Sequence, residues 1–295
     1  MKTREMHFTG VEFHGIFENQ SPEWYALREG RIGGSEIGAV LGLSPWTSPL
    51  AVYYRLTGEL TKDNGYNRRM RLGTLLEQPL LDLFQEEHPE WDVFKVGSYS
   101  PEAMPFLLAN PDAFYTDENG ELHLIEVKTS RDFWSEIPLH YMSQVQFYMH
   151  TFGVRHAKIV ALTAGDYNEF DVEYDPFMAE AMLEALRGFY SDFEQGIRPQ
   201  FDGSLSTYET MREIYPLSDD RTEIAQQLGI DLVNTAVEID ELTVKLNELK
   251  SRTLDQMGVS RVGYISVDDD EFIVARRQQK GEGKPFLIIN KGKGK

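Results

Sequence analysis

The sequence contains no cysteine. Disulfides, thiolate metal sites and a cysteine nucleophile are therefore excluded. No apolar run approaches the ~18 residues of a membrane span, so no membrane partner is expected. The first fifteen residues, MKTREMHFTGVEFHG, lack a secretory apolar stretch, from which a cytoplasmic location is expected. Histidine is sparse: the 7 residues form neither HExxH nor any other zinc-like spacing, so an oxygen-ligated cation is favoured over zinc. Positive charge is scarce too, with 29 Lys+Arg against 48 Asp+Glu and a net charge of −19. That balance weighs against a nucleic-acid partner, because phosphate binding favours cations. It is not a veto, since net charge governs solubility and steering whereas a local patch decides binding. Basic residues do cluster at Arg68, Arg69 and Arg71, and along the tail from Arg276 to Lys295.

What the chain does have is ordinary globular material: 41% hydrophobic and 26% charged residues over 295 positions. That is enough for one large domain, or one domain plus an appendage. Ser21-Pro22-Glu23 reads as a helix start, with Ser as N-cap and Pro at the first helical position. A second short helix opens near Ser35-Glu36, with Ser35 the favoured N-cap from spacing alone, and a third covers LAVYYRLTG. The stretch 70–88 has apolar residues at helical spacing, with Pro79 expected to kink it or restart the turn. Strands are expected at 92–99, 106–109, 113–116 and 122–128, then a helix over 136–152. Two more strands (156–164, 169–174) and a helix (176–196) follow. The composition shifts after Pro199. An irregular connector with a short helix leads to a long polar helix over 219–257, whose apolar stripe is too interrupted for a sustained heptad coiled coil. Three short strands close the chain, before a basic GKGK end expected to be disordered. The expected fold is α/β, a central mixed sheet flanked by helices, over residues 1–200. Residues 201–295 form a C-terminal connector, long helix and small β element.

The most informative segment is LLANPDAFYTDENGELHLIEVKTS. Asp112 follows Pro111, a turn covers Asp117 to Gly120, and a strand then carries Glu126-Val127-Lys128. Side chains at i and i+2 of a strand share a face, so Glu126 and Lys128 stand side by side, with Asp112 brought in from the preceding hairpin arm. Two carboxylates and an ammonium suit phosphodiester hydrolysis: the carboxylates hold Mg²⁺ and the lysine steers or activates a water. Alone, a strand E-x-K is more often a solvated face; the Pro-Asp and the hairpin spacing favour the site. Tyr141, Gln144 and Tyr148 share one face of the following helix. Gly33-Gly34-Ser35 presents backbone N–H groups where a helix begins, a setting that favours an anion.

Taken in order, LREGRIGGSEIGAVLGLSPW, MRLGTLLEQPLLDLF, ANPDAFY, LIEVKTS and IPLHYMSQVQFYM resemble the phage lambda exonuclease and YqaJ-like viral recombinase family, within the PD-(D/E)xK nuclease superfamily. The resemblance covers roughly residues 20–200 and implies a restriction-endonuclease-like core. It implies catalytic roles for Glu77, Asp112, Glu126, Lys128 and Gln144. Asp112, Glu126 and the Val127 backbone carbonyl would hold metal, with Glu77 reaching it through water. Two Mg²⁺ ions are implied, with Mn²⁺ as a substitute. Arg28 and Ser35 would bind the 5′-phosphate of the degraded strand, and Arg131 and Tyr141 are candidates for DNA contact. The tryptophans Trp24, Trp46 and Trp134 could stack on bases but more often such residues are core, and none is assigned a role.

The function implied is a metal-dependent 5′→3′ exonuclease on double-stranded DNA ends. It would generate 3′ single strands for phage-type recombination with a single-strand annealing protein, from a phage or prophage gene. A homo-oligomer is implied, with a trimer favoured. Two alternatives stay open: an endonuclease or nickase using the same centre, and a catalytically inactive DNA-end-binding protein.

Overall fold

The computed structural model describes residues 1–60, 68–268 and 270–292. Most of the GKGK end expected to be disordered therefore lies outside the described residues. The chain packs as two compact units, Met1–Leu217 and Ser218–Lys295.

In chain order the first unit comprises β1 (Lys2–Thr3), β2 (Val11–Gly15), α1 (Pro22–Arg28), β3 (Ile32–Gly33), α2 (Gly34–Val40), α3 (Pro49–Thr57) and α4 (Arg68–Glu87). Then come β4 (Asp92–Lys95), β5 (Ser98–Pro101), β6 (Leu107–Leu108), β7 (Ala113–Thr116), β8 (Leu122–Ser130) and α5 (Leu139–Phe152). The unit ends with β9 (His156–Thr163), β10 (Asp166–Glu173), α6 (Pro176–Glu194) and α7 (Leu205–Ile214). The fold is mixed α/β, with a six-stranded sheet in the order β1-β4-β7-β8-β9-β10 flanked by helices. Helix α7 packs on α3, and the division by packing falls after it, at 217/218.

Local chemistry accounts for several boundaries. Ser21 Oγ accepts from Trp24 N, with Pro22 opening α1, and Ser48 Oγ accepts from Ala51 N, with Pro49 opening α3. Helices α3 and α5 stop at Gly58 and Gly153, both left-handed, a conformation glycine adopts without steric cost. Helix α4 runs unbroken through Pro79; the expected restart does not occur. The expected strand over 92–99 is two strands. Gly97 lies so close to Gly15 and Phe13 that a Cβ there would collide with the Gly15 carbonyl, and β5 leaves the main sheet to pair with β2.

Strand β8 is the centre of the sheet. It pairs antiparallel with β7 only as far as Ile125, but parallel with β9 through Ser130. A parallel pair requires a crossover connection, here supplied by α5. Alternation along β8 sends Leu124 into the core on one sheet face, together with Val145, Phe147 and Leu186. Ile125 and Val127 go to the opposite face, with Leu80, Leu81 and Phe84 of α4. Glu126 and Lys128 thus stand on the same side as Leu124.

The second unit contains α8 (Gln226–Met257), β11 (Val262–Val267), β12 (Asp270–Gln278) and β13 (Phe286–Ile289). The strands form an antiparallel sheet in the order β11-β12-β13. Among its described residues the buried apolar ones are Met257 and Ala275. Helix α8 begins at Gln226, not 219. No described helix is long and apolar enough to cross a membrane.

Candidate active site

The site forms where β8 outruns β7. Beyond Ile125 the β7-facing backbone of β8 has no ladder partner, and the Val127 N–H donates instead to Asp112 Oδ2 at 2.7 Å. Within a strand the N–H and C=O of one residue point to the same side, so the Val127 carbonyl is turned toward Asp112 as well. Asp112 is held there because Pro111 stiffens the approach to β7.

Glu126 is 2% exposed. Its Oε1 accepts from Lys128 Nζ at 2.6 Å and from Gln144 Nε2 at 2.6 Å. Its Oε2 is buried and accepts no hydrogen bond from the described residues, although the Asp112 backbone N–H lies near enough to ease the charge on the carboxyl. Gln144, on α5, also donates to the Tyr148 hydroxyl at 3.2 Å. Lys128 Nζ lies 5.0 Å from the centre of the Tyr141 ring, close enough for a cation–π contact.

The electrostatics are those of crowded negative charge. Burial, then the charges of Glu126 and Glu77, push the Asp112 carboxyl well above the usual carboxylate range. Glu126 is raised as well, by burial first and against the pull of Lys128. Burial opposes the charge on Lys128, but Glu126 and Asp112 outweigh it and hold the ammonium above the ordinary lysine value. Tyr148 is pushed up by burial and then by Glu126, so its hydroxyl stays protonated.

Glu77 reaches this field from α4, but its Oε1 accepts from Lys95 Nζ of β4 at 2.7 Å. Of the five residues expected to be catalytic, Glu126, Lys128 and Gln144 are in direct contact. Asp112 joins them through the Val127 backbone, and Glu77 is brought near by charge. Lys95 and Tyr148 were not singled out as site residues. The 141/144/148 spacing was a signal for Tyr148; nothing local marks Lys95, which reaches Glu77 from another element.

Arg28 stacks on the Trp24 ring at 4.3 Å. Its Nε is buried without a hydrogen-bond partner. Burial lowers its pKa from the usual arginine value, with Glu36 and Tyr148 pulling the other way. A Cβ on Gly33 would come within 2.5 Å of an Arg28 guanidinium nitrogen, so the guanidinium lies against the backbone that enters α2. The N-cap of α2 is Gly33, not Ser35. Ser35 is the second helical residue and exposed. The Gly33 N–H donates to Glu36 Oε2 at 3.0 Å, and Glu36 is also paired with Arg55. Arg131 is exposed just past β8. Trp134 is buried, whereas Trp46 is 63% exposed and packs edge-on against His140.

The residues of this site fit a hard divalent cation. An orphaned carboxylate oxygen, a second carboxylate raised by its neighbours and a strand carbonyl make an all-oxygen set, the chemistry that Mg²⁺ and Mn²⁺ share. A separate group, Asp117, Glu121 and His123, has ligand atoms within 4.8 Å of one another, a spacing that suits one cation. Asp117 there already accepts from the N–H groups of Asn119 and Glu121 at 3.0 and 2.8 Å, as the β7–β8 turn requires.

Comparison with known proteins adds a family. Residues 23–155 match the YqaJ-like viral recombinase domain. The chain is 26% identical over 268 residues to the YqaJ protein of Bacillus subtilis, covering 84% of this chain and 82% of that one. It is 29% identical over 160 residues to protein D345L of African swine fever virus (strain Badajoz 1971 Vero-adapted), covering 44% of this chain and 45% of that one. Among solved structures, the alkaline exonuclease LHK-Exo of Laribacter hongkongensis is 21% identical with a TM-score of 0.47, over 60% of this chain and 94% of that one. A phage-related exonuclease from Haemophilus somnus 129PT is 13% identical with a TM-score of 0.43, over 57% and 95%.

Proposed function

We propose, from the match of residues 23–155 to the YqaJ-like viral recombinase domain, that the chain is a Mg²⁺-dependent 5′→3′ exonuclease acting on the ends of linear double-stranded DNA. Its product is a 3′ single-stranded overhang, the form a single-strand annealing protein takes up in recombination. The observation that carries the reading is the state of Glu126: one oxygen held by Lys128 and Gln144, the other buried and unpartnered beside Asp112. A purely structural carboxylate would have both oxygens satisfied.

Asp112, Glu126 and the Val127 carbonyl would hold the metal, with Glu77 contributing through water. When bound, Mg²⁺ supplies Lewis-acid stabilisation of the attacking and leaving oxygens of the phosphodiester. The chain's own residues do the rest. Lys128, whose ammonium is favoured by Glu126 and Asp112 in the metal-free site, would donate to the attacking water or a phosphate oxygen and offset developing charge. Gln144 fixes the rotamer of Glu126 and is itself fixed by Tyr148. Arg28 and Ser35 anchor the 5′-phosphate, the guanidinium supplying a fork of donors. Tyr141 and Arg131 line the path of the strand.

Lys128→Ala tests the assignment. Loss of one preorganised charge donor costs on the order of 100-fold or more in turnover, while binding to DNA ends, measured by fluorescence anisotropy, stays within a few-fold. Turnover by Lys128→Ala equal to that of the parent protein, with Mg²⁺ present, would remove the proposed mechanism.

A further inference from the structure

Helix α8 has a stripe of large apolar side chains that no described residue of its own unit covers. Leu232 is 65% exposed, Ile239 58%, Leu242 56%, Leu246 40% and Leu249 48%. With Thr235 these fall at alternating spacings of three and four, the a and d positions of a heptad seam. One polar residue interrupts it, and it ends where the helix turns its face to β11: Thr253 and Leu254 are half-buried and Met257 is buried. Such a seam is too short for the sustained coiled coil that the interrupted stripe argues against, but at nearly three heptads it suffices for a short helix pair. A second run, Ile230, Val233, Val237 and Val244, is broken by the charged Asp240 and turns polar at Asn247 and Ser251, so it does not extend as far.

The charges beside the seam decide what covers it. With Leu232, Ile239 and Leu246 at a, and Thr235, Leu242 and Leu249 at d, the g positions are Asp231, Glu238, Lys245 and Arg252. The first two are acidic and the last two basic. In a parallel pair, g faces e of the next heptad, which sets Lys245 against Lys250 of the second helix and makes no opposite-charge pair. In an antiparallel pair, g faces g. Position 232 then lies opposite 249, 235 opposite 246 and 239 opposite 242. Glu238 meets Lys245 and Asp231 meets Arg252, each twice by symmetry. Of the e positions, Ala236 and Thr243 face each other without charge, and Lys250 faces Gly229.

We propose that α8 pairs with the α8 of a second copy of this chain, antiparallel, about a two-fold axis between positions 240 and 241. That axis falls close to the midpoint of Gln226–Met257, so the two helices overlap along nearly their whole length. A self-complementary charge pattern, acidic in one half and basic in the other, is what an isologous interface requires. Edge charges of this kind set partner and orientation more than raw affinity. The seam lies outside residues 23–155 and does not depend on the nuclease reading.

The test uses the full-length chain and its mass by multi-angle light scattering over a range of concentrations. Glu238→Lys and Lys245→Glu should each weaken self-association by roughly tenfold, since each turns two attractive pairs into repulsive ones. The double variant E238K/K245E should restore it. Ile239→Asp with Leu242→Asp should halve the mass while the circular dichroism of the chain is retained. Absence of cysteine makes orientation directly readable. Chains carrying Leu232→Cys mixed with chains carrying Leu249→Cys should cross-link on oxidation, and Leu249→Cys alone should not. Cross-linking of Leu249→Cys with itself would mean a parallel pair and overturn the proposal. A mass unaffected by the Ile239/Leu242 substitutions would overturn it too.

Discussion

At the scale of single residues, the site is built at the expense of stability. Burying Glu126 with one oxygen undonated, beside a second carboxylate, is unfavourable unless a cation or proton compensates. Asp112→Asn keeps an oxygen to accept the Val127 N–H and removes one of the crowded charges. It should therefore stabilise the metal-free protein, by on the order of 1 kcal/mol, while cleavage is lost. The same logic predicts that Mg²⁺ raises the melting temperature of the unaltered protein and does so far less for the Asn variant. Differential scanning fluorimetry with and without Mg²⁺ reads both effects. An Asn variant that melts lower than its parent without metal would contradict this account of the site. Much at this scale was legible in the sequence, because Glu126 and Lys128 sit two apart in a strand beside the apolar Leu124, Ile125 and Val127. What was not legible depends on contacts distant in sequence. Lys95 pairs with Glu77 across 18 positions, and the oxygen of Glu126 left without a donor is visible only once every neighbour is placed.

At the scale of elements, the geometry of the site hangs on how α2 lies against α5. Gly34 and Gly38, one helical turn apart, face α5 directly: a Cβ on Gly34 would run into the Tyr148 ring, and one on Gly38 would approach the His140 Cα to 2.9 Å. Both faced residues belong to the helix that carries Gln144. Gly38→Ala should cost about 1–3 kcal/mol through overpacking, measured by urea denaturation. It should also lower kcat, because displacement of α5 moves Gln144 off Glu126. An Ala variant as stable and active as its parent would show that the approach is not tight. Elements with strong local signals were readable: the Ser-Pro start of α1, the alternation of β8, the apolar spacing of α4. Others were not. β1, of two residues, is too short to show a period, and β2 went unread although Val11-Glu12-Phe13-His14 alternates. The 92–99 run splits at Gly97 because of a long-range contact with Gly15. Ser35 looks like an N-cap by residue type, but Gly33, with Glu36 reaching back to its N–H, takes that place. Helix α8 starts later than its polar composition implies, after residues 219–225, whose composition does not differ enough to mark the start.

At the scale of the whole molecule, two features bear on function. The first is the net charge of −19, which opposes long-range attraction to DNA and leaves binding to local groups and to the cation the site is suited to hold. The second is the organisation into two units: the first holds the candidate nuclease centre, and the second presents an apolar seam with a self-complementary charge pattern. The sheet and helices of the first unit follow from patterning that the sequence displays. Polarity of digestion does not, because a phosphodiester centre of this kind is indifferent to direction until an end is anchored. The central claim therefore comes down to substrate ends. Linear duplexes labelled on one strand, with or without a 5′-phosphate, are incubated with Mg²⁺ beside a covalently closed circle. Stepwise loss from the 5′-phosphorylated strand with the circle intact is the expected result. Cutting of the circle, or no cutting of any substrate, would contradict it.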